Sequence, residues 1–398
     1  MKREVYILNI DKERVNRLKE YVQGVLDNKD GRNLYFTYIE DIEKVTPQEC
    51  FEIFYSKLEK GYTPKEILEI LDKTINVFYI SLSTYEWERP KENSFLSLLI
   101  KENKGLEKKL ENIRAIIMNK EVGLKKEELL KAIGELESFN DHYLKKENIL
   151  FPYMEKKMES FEGLTIMWSL HDEARDTIKR MIEVLETEDF DDSTFNIEVG
   201  RLFFTLLGIV NKEDLILFPA ATEVIEDSEW EEMNAQSLEY DFPFIERPVL
   251  HMKKETEKLQ SFQGMTFKTD TGELDFEQML LILNALPVDL SFVDENNKVR
   301  FFTRPKDRIF PRSPAVIGRD VKNCHPSESV HVVEEIIKEF KAGNKDKASF
   351  WINLKGKMIL IQYFALRNSL GEYKGVLEVS QDITDIQKLE GEKRLLEW

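Results

Sequence analysis

The stretches HYLKKENILFP (residues 142–152) and NKEDLILFP (residues 211–219) share a Lys-Glu pair that is followed by apolar residues and Phe-Pro. Each stretch lies in a long run of apolar residues at three- and four-residue spacing, which is typical of an amphipathic helix. Such runs cover roughly 94–119, 125–158, 164–187 and 194–226. Helices of this length joined by short loops predict an antiparallel four-helix bundle.

The predicted bundle carries histidine and glutamate residues on several helices. His142 and Glu147 are five residues apart, which can place an imidazole and a carboxylate near one inward-facing stripe. His171 lies on the next helix and Glu213 on the last. These four residues form a candidate site for iron, manganese or zinc. The alternative is a structural or surface role, because histidines in long helices need no special cause.

The same segment resembles the hemerythrin-like (HHE cation-binding) domains. The matching residues are those of HYL and KENILFP in the first stretch, of Met-Trp and His-Asp-Glu within 167–173, and of KED and LFP in the second stretch. The resemblance implies a four-helix bundle that holds a non-haem di-iron centre. Two histidines of the family pattern are replaced, by Asn103 on the first helix and by Ile209 on the last. The four remaining candidate ligands are therefore expected to suit one metal ion better than two.

A bundle that has lost its metal is the alternative. Buried Glu147 and Glu213 would then need other partners or raised pKa values. Lys145, Lys146 and Lys212 lie close to them in the sequence and can neutralise them.

The apolar period changes to two from about residue 276. DLSFVDENNKVRFF (289–302) predicts two strands with a turn at Asn296-Asn297. SESVHVVEEIIKEFKAG (327–343) predicts a helix that Gly343 ends, and residues 347–383 predict three more strands. One helix inserted in an antiparallel sheet predicts an α+β domain. These segments, with the Gln-Asp-Ile-Thr ending at 381–384, resemble a PAS domain, which is a sensory fold.

The PAS resemblance implies a ligand pocket in the core of this domain. The residues predicted to line or fill that pocket are Phe292, Phe301, His331, Phe350 and Phe364. The sequence argues against haem, because His325 belongs to a His-Pro pair that ordinary PAS domains carry. His331 lies about one residue from the position of a haem ligand, a shift that turns a helical side chain by about 100°.

Composition excludes several classes of function. A net charge of −18 argues against a general nucleic-acid binder, because backbone phosphates would be repelled. Two cysteines, Cys50 and Cys324, exclude a CxxC site. The sequence has no signal-peptide core and no run of about 18 apolar residues, so we expect a cytoplasmic protein without a membrane span. Phosphate-loop, GxSxG and HExxH motifs are absent, so no enzyme is predicted.

The predicted fold class is multidomain, with an all-α N-terminal half that contains the hemerythrin-like bundle, followed by an α+β PAS domain. The predicted segments are an uncharacterised helical domain (1–92), the bundle (93–240), a linker (241–278), the PAS domain (279–384) and an amphipathic C-terminal helix (385–398).

We expect a sensor or regulatory protein that responds to a small ligand, a gas or redox state. No output enzyme follows the last helix, so the signal is expected to pass through an unknown protein partner or a homodimer formed by the PAS domain and the C-terminal helix. The alternatives are a metal-free scaffold with a ligand-binding PAS pocket and a non-haem iron protein that handles O₂ or NO.

Overall fold

The chain forms two compact units, Met1–His251 and Met252–Trp398, in a computed structural model. The structure describes residues 10–118, 126–158, 160–187, 191–248, 266–306, 308–325, 327–354 and 356–392. Within these ranges no helix is long and apolar enough to cross a membrane.

The described part of the first unit opens with four helices: α1 (Lys12–Leu26), α2 (Gly31–Ile42), α3 (Pro47–Glu59) and α4 (Pro64–Thr84). Thr46 and Thr63 cap α3 and α4, and each threonine forms a reciprocal capping box with the glutamate three residues later. A proline follows each cap at the first helical position, where its missing N–H has no intrahelical partner to lose. The helix start predicted at Thr63-Pro64 is confirmed.

The bundle follows, and its elements are α5 (Phe95–Met118), α6 (Lys126–Gly134), α7 (Asn140–Lys145), α8 (Phe151–Lys157), α9 (Leu164–Glu186), α10 (Asp192–Lys212), α11 (Phe218–Val224) and α12 (Asp227–Ser237). The helix from 126 to 157 runs without a break through α6, α7 and α8, and that from 192 to 224 runs through α10 and α11. The four predicted helices are therefore confirmed to within two residues at each end, and α12 is an additional one.

The described part of the second unit begins with a hairpin in the predicted linker. Its elements are β1 (Thr266–Thr269), β2 (Gly272–Asp275), α13 (Phe276–Ala285), β3 (Asp289–Asp294), β4 (Val299–Phe302), α14 (Ser327–Ala342), β5 (Lys347–Leu354), β6 (Lys357–Arg367) and β7 (Tyr373–Asp382). The five strands from β3 to β7 pair antiparallel in the order β4-β3-β7-β6-β5. The predicted turn is confirmed, because Asn297 adopts the left-handed conformation that asparagine tolerates.

One face of this sheet holds the core of the second unit. Val293, Ile361 and Val376 lie on that face and form one cluster with Ile337 and Phe340 of α14. The alternation of side chains along a strand places every second residue of each strand in this core and the others on the opposite face.

The predicted C-terminal helix does not begin at residue 385. Ile386–Lys388 is a single 3₁₀ turn, and residues 389–392 are not helical. Gly391 has a φ of +64°, which a right-handed helix cannot include. Residues 393–398 of the predicted helix lie outside the described residues.

Gly375→Ala is expected to open the sheet between β3 and β7. A methyl group on Gly375 would collide with the carbonyl oxygen of Val293, and its φ of +140° is one that L residues rarely adopt. Hydrogen exchange of the full chain, followed by mass spectrometry, should show faster exchange in β3 and β7 and unchanged exchange in the bundle.

Gly371→Ala is the matched control for this variant. Gly371 also has a positive φ, of +79°, but an added methyl group meets nothing within 4 Å. Its cost is expected to be about 1 kcal/mol, from backbone strain alone. Equal protection of β3 and β7 in both variants would contradict the steric argument.

Candidate functional site

Two π-helical turns lie within the bundle, one in each of the stretches 142–152 and 211–219. They span Lys146–Leu150 and Glu213–Leu217, and each turn directly precedes a Phe-Pro pair. A proline lacks a backbone donor and crowds the carbonyl of the preceding turn, which favours local widening of the helix. The first residues of the two turns, Lys146 and Glu213, are fully buried and form an ion pair with each other.

A chain of polar contacts continues from Glu213. The ring of His142 lies between two carboxyl groups, with Nε2 3.0 Å from Glu213 Oε2 and Nδ1 2.8 Å from Glu102 Oε2. Lys145 donates to the other oxygen of Glu102. Asn103 Nδ2 donates to Glu213 Oε2 at 3.0 Å. The residue at the family's first histidine position therefore binds a carboxylate here.

A second chain of contacts surrounds His171. Its Nδ1 lies 2.8 Å from Glu147 Oε1, and Arg175 donates to both oxygens of Glu147 at 2.9 and 3.0 Å. The ring of Tyr143 stacks on the imidazole with centroids 4.5 Å apart, which fixes its orientation. His171 Nε2 lies 3.9 Å from Glu213 Oε1 and has no hydrogen-bond partner among the described residues.

Each buried carboxyl group of this core has a basic side chain beside it. Each of its three carboxyl groups contacts one cationic side chain, in the pairs Glu102–Lys145, Glu213–Lys146 and Glu147–Arg175. A buried carboxylate without such a partner would be strongly destabilising. The core therefore satisfies its own charge with side chains of the bundle.

The protonation of His142 follows from burial. Burial lowers the pKa of His142, and it raises the pKa of Glu102 to about 7 against the opposing effect of Lys145. A neutral imidazole donates through only one nitrogen, yet both ring nitrogens face carboxyl oxygens. A proton on one of the two carboxyl groups would satisfy both contacts, and the raised pKa of Glu102 favours that residue.

This arrangement does not fit a di-iron centre. A metal site needs several donor atoms whose lone pairs face one point, but the three carboxyl groups already accept from Lys145, Lys146 and Arg175. Within the described part of the chain, no group of three or more His, Cys, Asp or Glu residues is placed to hold a metal ion.

The four predicted ligands do meet in one buried cluster, but two of its main members were missed. Of the three lysines predicted to neutralise this cluster, Lys146 contacts Glu213 as expected, whereas Lys212 pairs with Asp72 of α4. Glu102 and Arg175 were not predicted. Arg175 lies four residues after His171, and this i,i+4 spacing could have identified it.

The predicted PAS pocket residues lie on different faces of the sheet. Phe292 of β3 pairs with Phe301 of β4 on one side and with Leu377 of β7 on the other. Leu377 in turn pairs with Phe364 of β6. Directly paired residues share a face, so these phenylalanines lie on the face opposite to the core. Phe350 lies on the core side, since it pairs with Ile361 and its ring contacts Tyr363. His331 is exposed on α14.

A half-buried ion pair occupies the core side of this sheet instead. Arg312, in the loop after β4, places Nη2 3.1 Å from both oxygens of Glu378 on β7. Ser380 lies beside it, and Tyr363 is directly opposite Glu378 on β6. Burial lowers the pKa of His325, which lies close enough to Glu378 and Arg312 to feel their charges. This cluster was not predicted from the sequence.

Comparison with known proteins supports both resemblances. Residues 94–221 match the hemerythrin HHE cation binding domain, and residues 279–384 match a PAS domain. The solved C-terminal domain of a protein from Streptococcus mutans is 30% identical over 32% of this chain and 98% of that chain, with a TM-score of 0.31. The PAS domain of a protein from Colwellia psychrerythraea is 18% identical over 27% of this chain and 97% of that chain, with a TM-score of 0.23. No curated protein matches the chain.

Glu102→Gln is expected to flatten the dependence of stability on pH. The folded state holds the Glu102 proton up to about pH 7, whereas the unfolded state releases it near the ordinary pKa of 4.5. The wild type therefore loses about 3 kcal/mol of unfolding free energy from this group as pH rises from 4.5 to 7. Glutamine imitates the protonated carboxyl, because it donates to His142 and accepts from Lys145, and it does not titrate.

Urea unfolding at several pH values between 5 and 8 measures this difference. The Glu102→Gln variant should show a shallower slope than the wild type, while Glu135→Gln, which removes an exposed carboxylate of the same bundle, should keep the wild-type slope. Parallel curves for Glu102→Gln and the wild type would refute the assignment of the proton.

Proposed function

We propose that this protein, which joins a hemerythrin-like HHE bundle to a PAS domain, is a sensor or regulatory protein whose ligand-responsive part is the PAS domain. The bundle acts as a scaffold that keeps its fold without a metal ion. The observation that carries this proposal is the ion pair between Lys146 and Glu213, which gives one of the candidate metal ligands a lysine side chain as its partner.

The PAS domain offers chemistry for a small polar ligand. The Arg312–Glu378 pair lies on the core side of the sheet, and both side chains keep slight exposure, 15% and 13%. A guanidinium group binds a carboxylate with two parallel hydrogen bonds, so a ligand carboxylate can take the place of Glu378 on Arg312. Small carboxylic acids and amino acids are therefore the proposed ligand class. Haem is not supported, since the exposed His331 lies away from this core.

A metal-binding sensor is the second candidate. One observation favours it, namely the buried His171 Nε2 that has no hydrogen-bond partner among the described residues. A buried ring nitrogen without a partner is costly, and a metal ion would satisfy it. In this candidate function iron or another divalent ion would displace Lys146 from Glu213 and recruit the two histidines.

The proposed output is a protein–protein contact. The second unit exposes apolar side chains on α13, among them Leu281 and Ile282, at 62% and 49%. Such residues fit a partner protein or a second copy of the chain.

Wild-type protein, purified without a His-tag both anaerobically and in air, is expected to contain well below one metal atom per chain by elemental analysis. It should lack visible absorbance, and His142→Ala and His171→Ala should leave the metal content unchanged, because Lys146 already neutralises Glu213. Stoichiometric iron that both variants lose would establish the second candidate instead.

A thermal-shift screen of the full chain against small carboxylic acids and amino acids tests the PAS proposal. At least one compound is expected to raise Tm by roughly 2 °C or more, and Arg312→Met should abolish that shift. Arg300→Met is the control, since this arginine of the same sheet is 53% exposed and pairs with Asp294. A shift that survives in Arg312→Met, or none in the wild type, would contradict the proposed ligand class.

A further inference from the structure

Asp289, the first residue of β3, is a buried acid with one oxygen to which no described residue donates a hydrogen bond. The residue is 5% exposed. Its Oδ2 accepts from the backbone N–H groups of Ile309 and Phe310, both at 3.0 Å, and lies 3.9 Å from Nε of Arg308. Its Oδ1 is also buried and has no hydrogen-bond partner among the described residues. A buried carboxylate oxygen without a donor is costly, so this position favours a ligand that brings one.

Asp289 lies on the core side of the sheet, close to the Arg312–Glu378 pair. It is directly opposite Ser380 of β7, and Ser291, two residues further along β3, is directly opposite Glu378. Directly paired residues share a face, and their diagonal neighbours are about 7–8 Å apart. Asp289 and Glu378 are diagonal neighbours of this kind. The guanidinium group of Arg312, which binds Glu378, therefore lies near Asp289 on the same face.

Burial and two arginines act on the Asp289 carboxyl group in opposite directions. Burial raises the pKa of Asp289, and the charges of Arg308 and Arg312 offset that rise only in part. Arg308 is also engaged by the backbone, since it donates to the carbonyl oxygens of Thr303 and Phe310. The ionised form of Asp289 would therefore gain from a further cationic group beside Oδ1.

We infer that Asp289 binds the ammonium group of a ligand whose carboxylate lies on Arg312, which makes free amino acids the ligand class of the PAS domain. This inference rests on the ligand function proposed above, in which a ligand carboxylate takes the place of Glu378. An amino acid carries the two opposite charges that these two side chains complement. Ser380 lies between the two, because it is opposite Asp289 and its hydroxyl oxygen is 3.4 Å from Oε1 of Glu378.

Matched pairs of ligands test this inference on the full chain. Each common amino acid is compared with the acid that lacks only its amino group, such as alanine with propionate and phenylalanine with hydrocinnamate. At least one amino acid is expected to raise the Tm of the wild type by roughly 2 °C or more. Its Kd by calorimetry should be at least about 10-fold lower than that of its partner acid, which forms no charge-assisted hydrogen bond with Asp289.

Asp289→Asn removes the proposed ammonium contact at little structural cost. Asparagine keeps one oxygen for the two backbone N–H groups and replaces the other with an NH₂ group, which cannot accept from an ammonium group. The variant should bind the partner acid as the wild type does and should lose the preference for the amino acid. Asp294→Asn is the matched control, because Asp294 is a buried acid at the other end of β3 that accepts from backbone N–H groups of the following turn. It should keep the wild-type preference.

The outcomes separate this inference from the function on which it rests. Equal affinity of the wild type for an amino acid and its partner acid, with both lost in Arg312→Met, would overturn the ammonium contact and leave carboxylate binding intact. That comparison decides the matter even if Asp289→Asn does not fold. A preference that survives in Asp289→Asn would also overturn the role of Asp289. Binding of neither class of ligand would overturn the proposed function, and the inference with it.

Discussion

A dry protein core that contains carboxyl groups has to supply their positive charge or their protons from somewhere. In this bundle the requirement falls on Glu102, Glu147 and Glu213, and side chains of the bundle itself meet it. The arrangement of side chains around these three glutamates follows from that need for positive charge or protons. The two π turns bring their first residues together, and aromatic rings stack on both imidazoles and hold them in place. A fold that elsewhere encloses metal can therefore stay closed around an internal ion pair.

The second unit uses the same kind of contact in a different environment. The Arg312–Glu378 pair retains slight exposure, whereas the pair in the bundle has none. A pair that solvent can reach can be exchanged for a ligand group, because water compensates the separated charges during the exchange. A fully dry pair cannot separate without a replacement cation. The Arg312–Glu378 pair thus suits a site that responds to a ligand, and the Lys146–Glu213 pair suits a fixed structural contact.

The sequence predicted what depends on local periodicity. Apolar spacing located the four bundle helices, and the Thr63-Pro64 cap and the Asn-Asn turn marked ends that the structure reproduces. Partners across the fold were harder to predict. Glu102 lies 40 residues before His142, and nothing local shows that α5 brings them together. The PAS phenylalanines illustrate a second limit, because strand period tells which residues share a face but not which face meets the core.

Lys146 is the first residue of the π turn before the first Phe-Pro pair, so the chain itself supplies the partner of Glu213. Because Lys146 is part of the polypeptide, a bundle in which this lysine neutralises Glu213, as proposed, would receive that partner during translation and would need no metal delivery after it folds. Structural metal sites couple folding to the supply of the ion. A bundle stabilised by its own lysine would be free of that coupling, so its abundance in a cell would follow its synthesis and would persist through iron starvation.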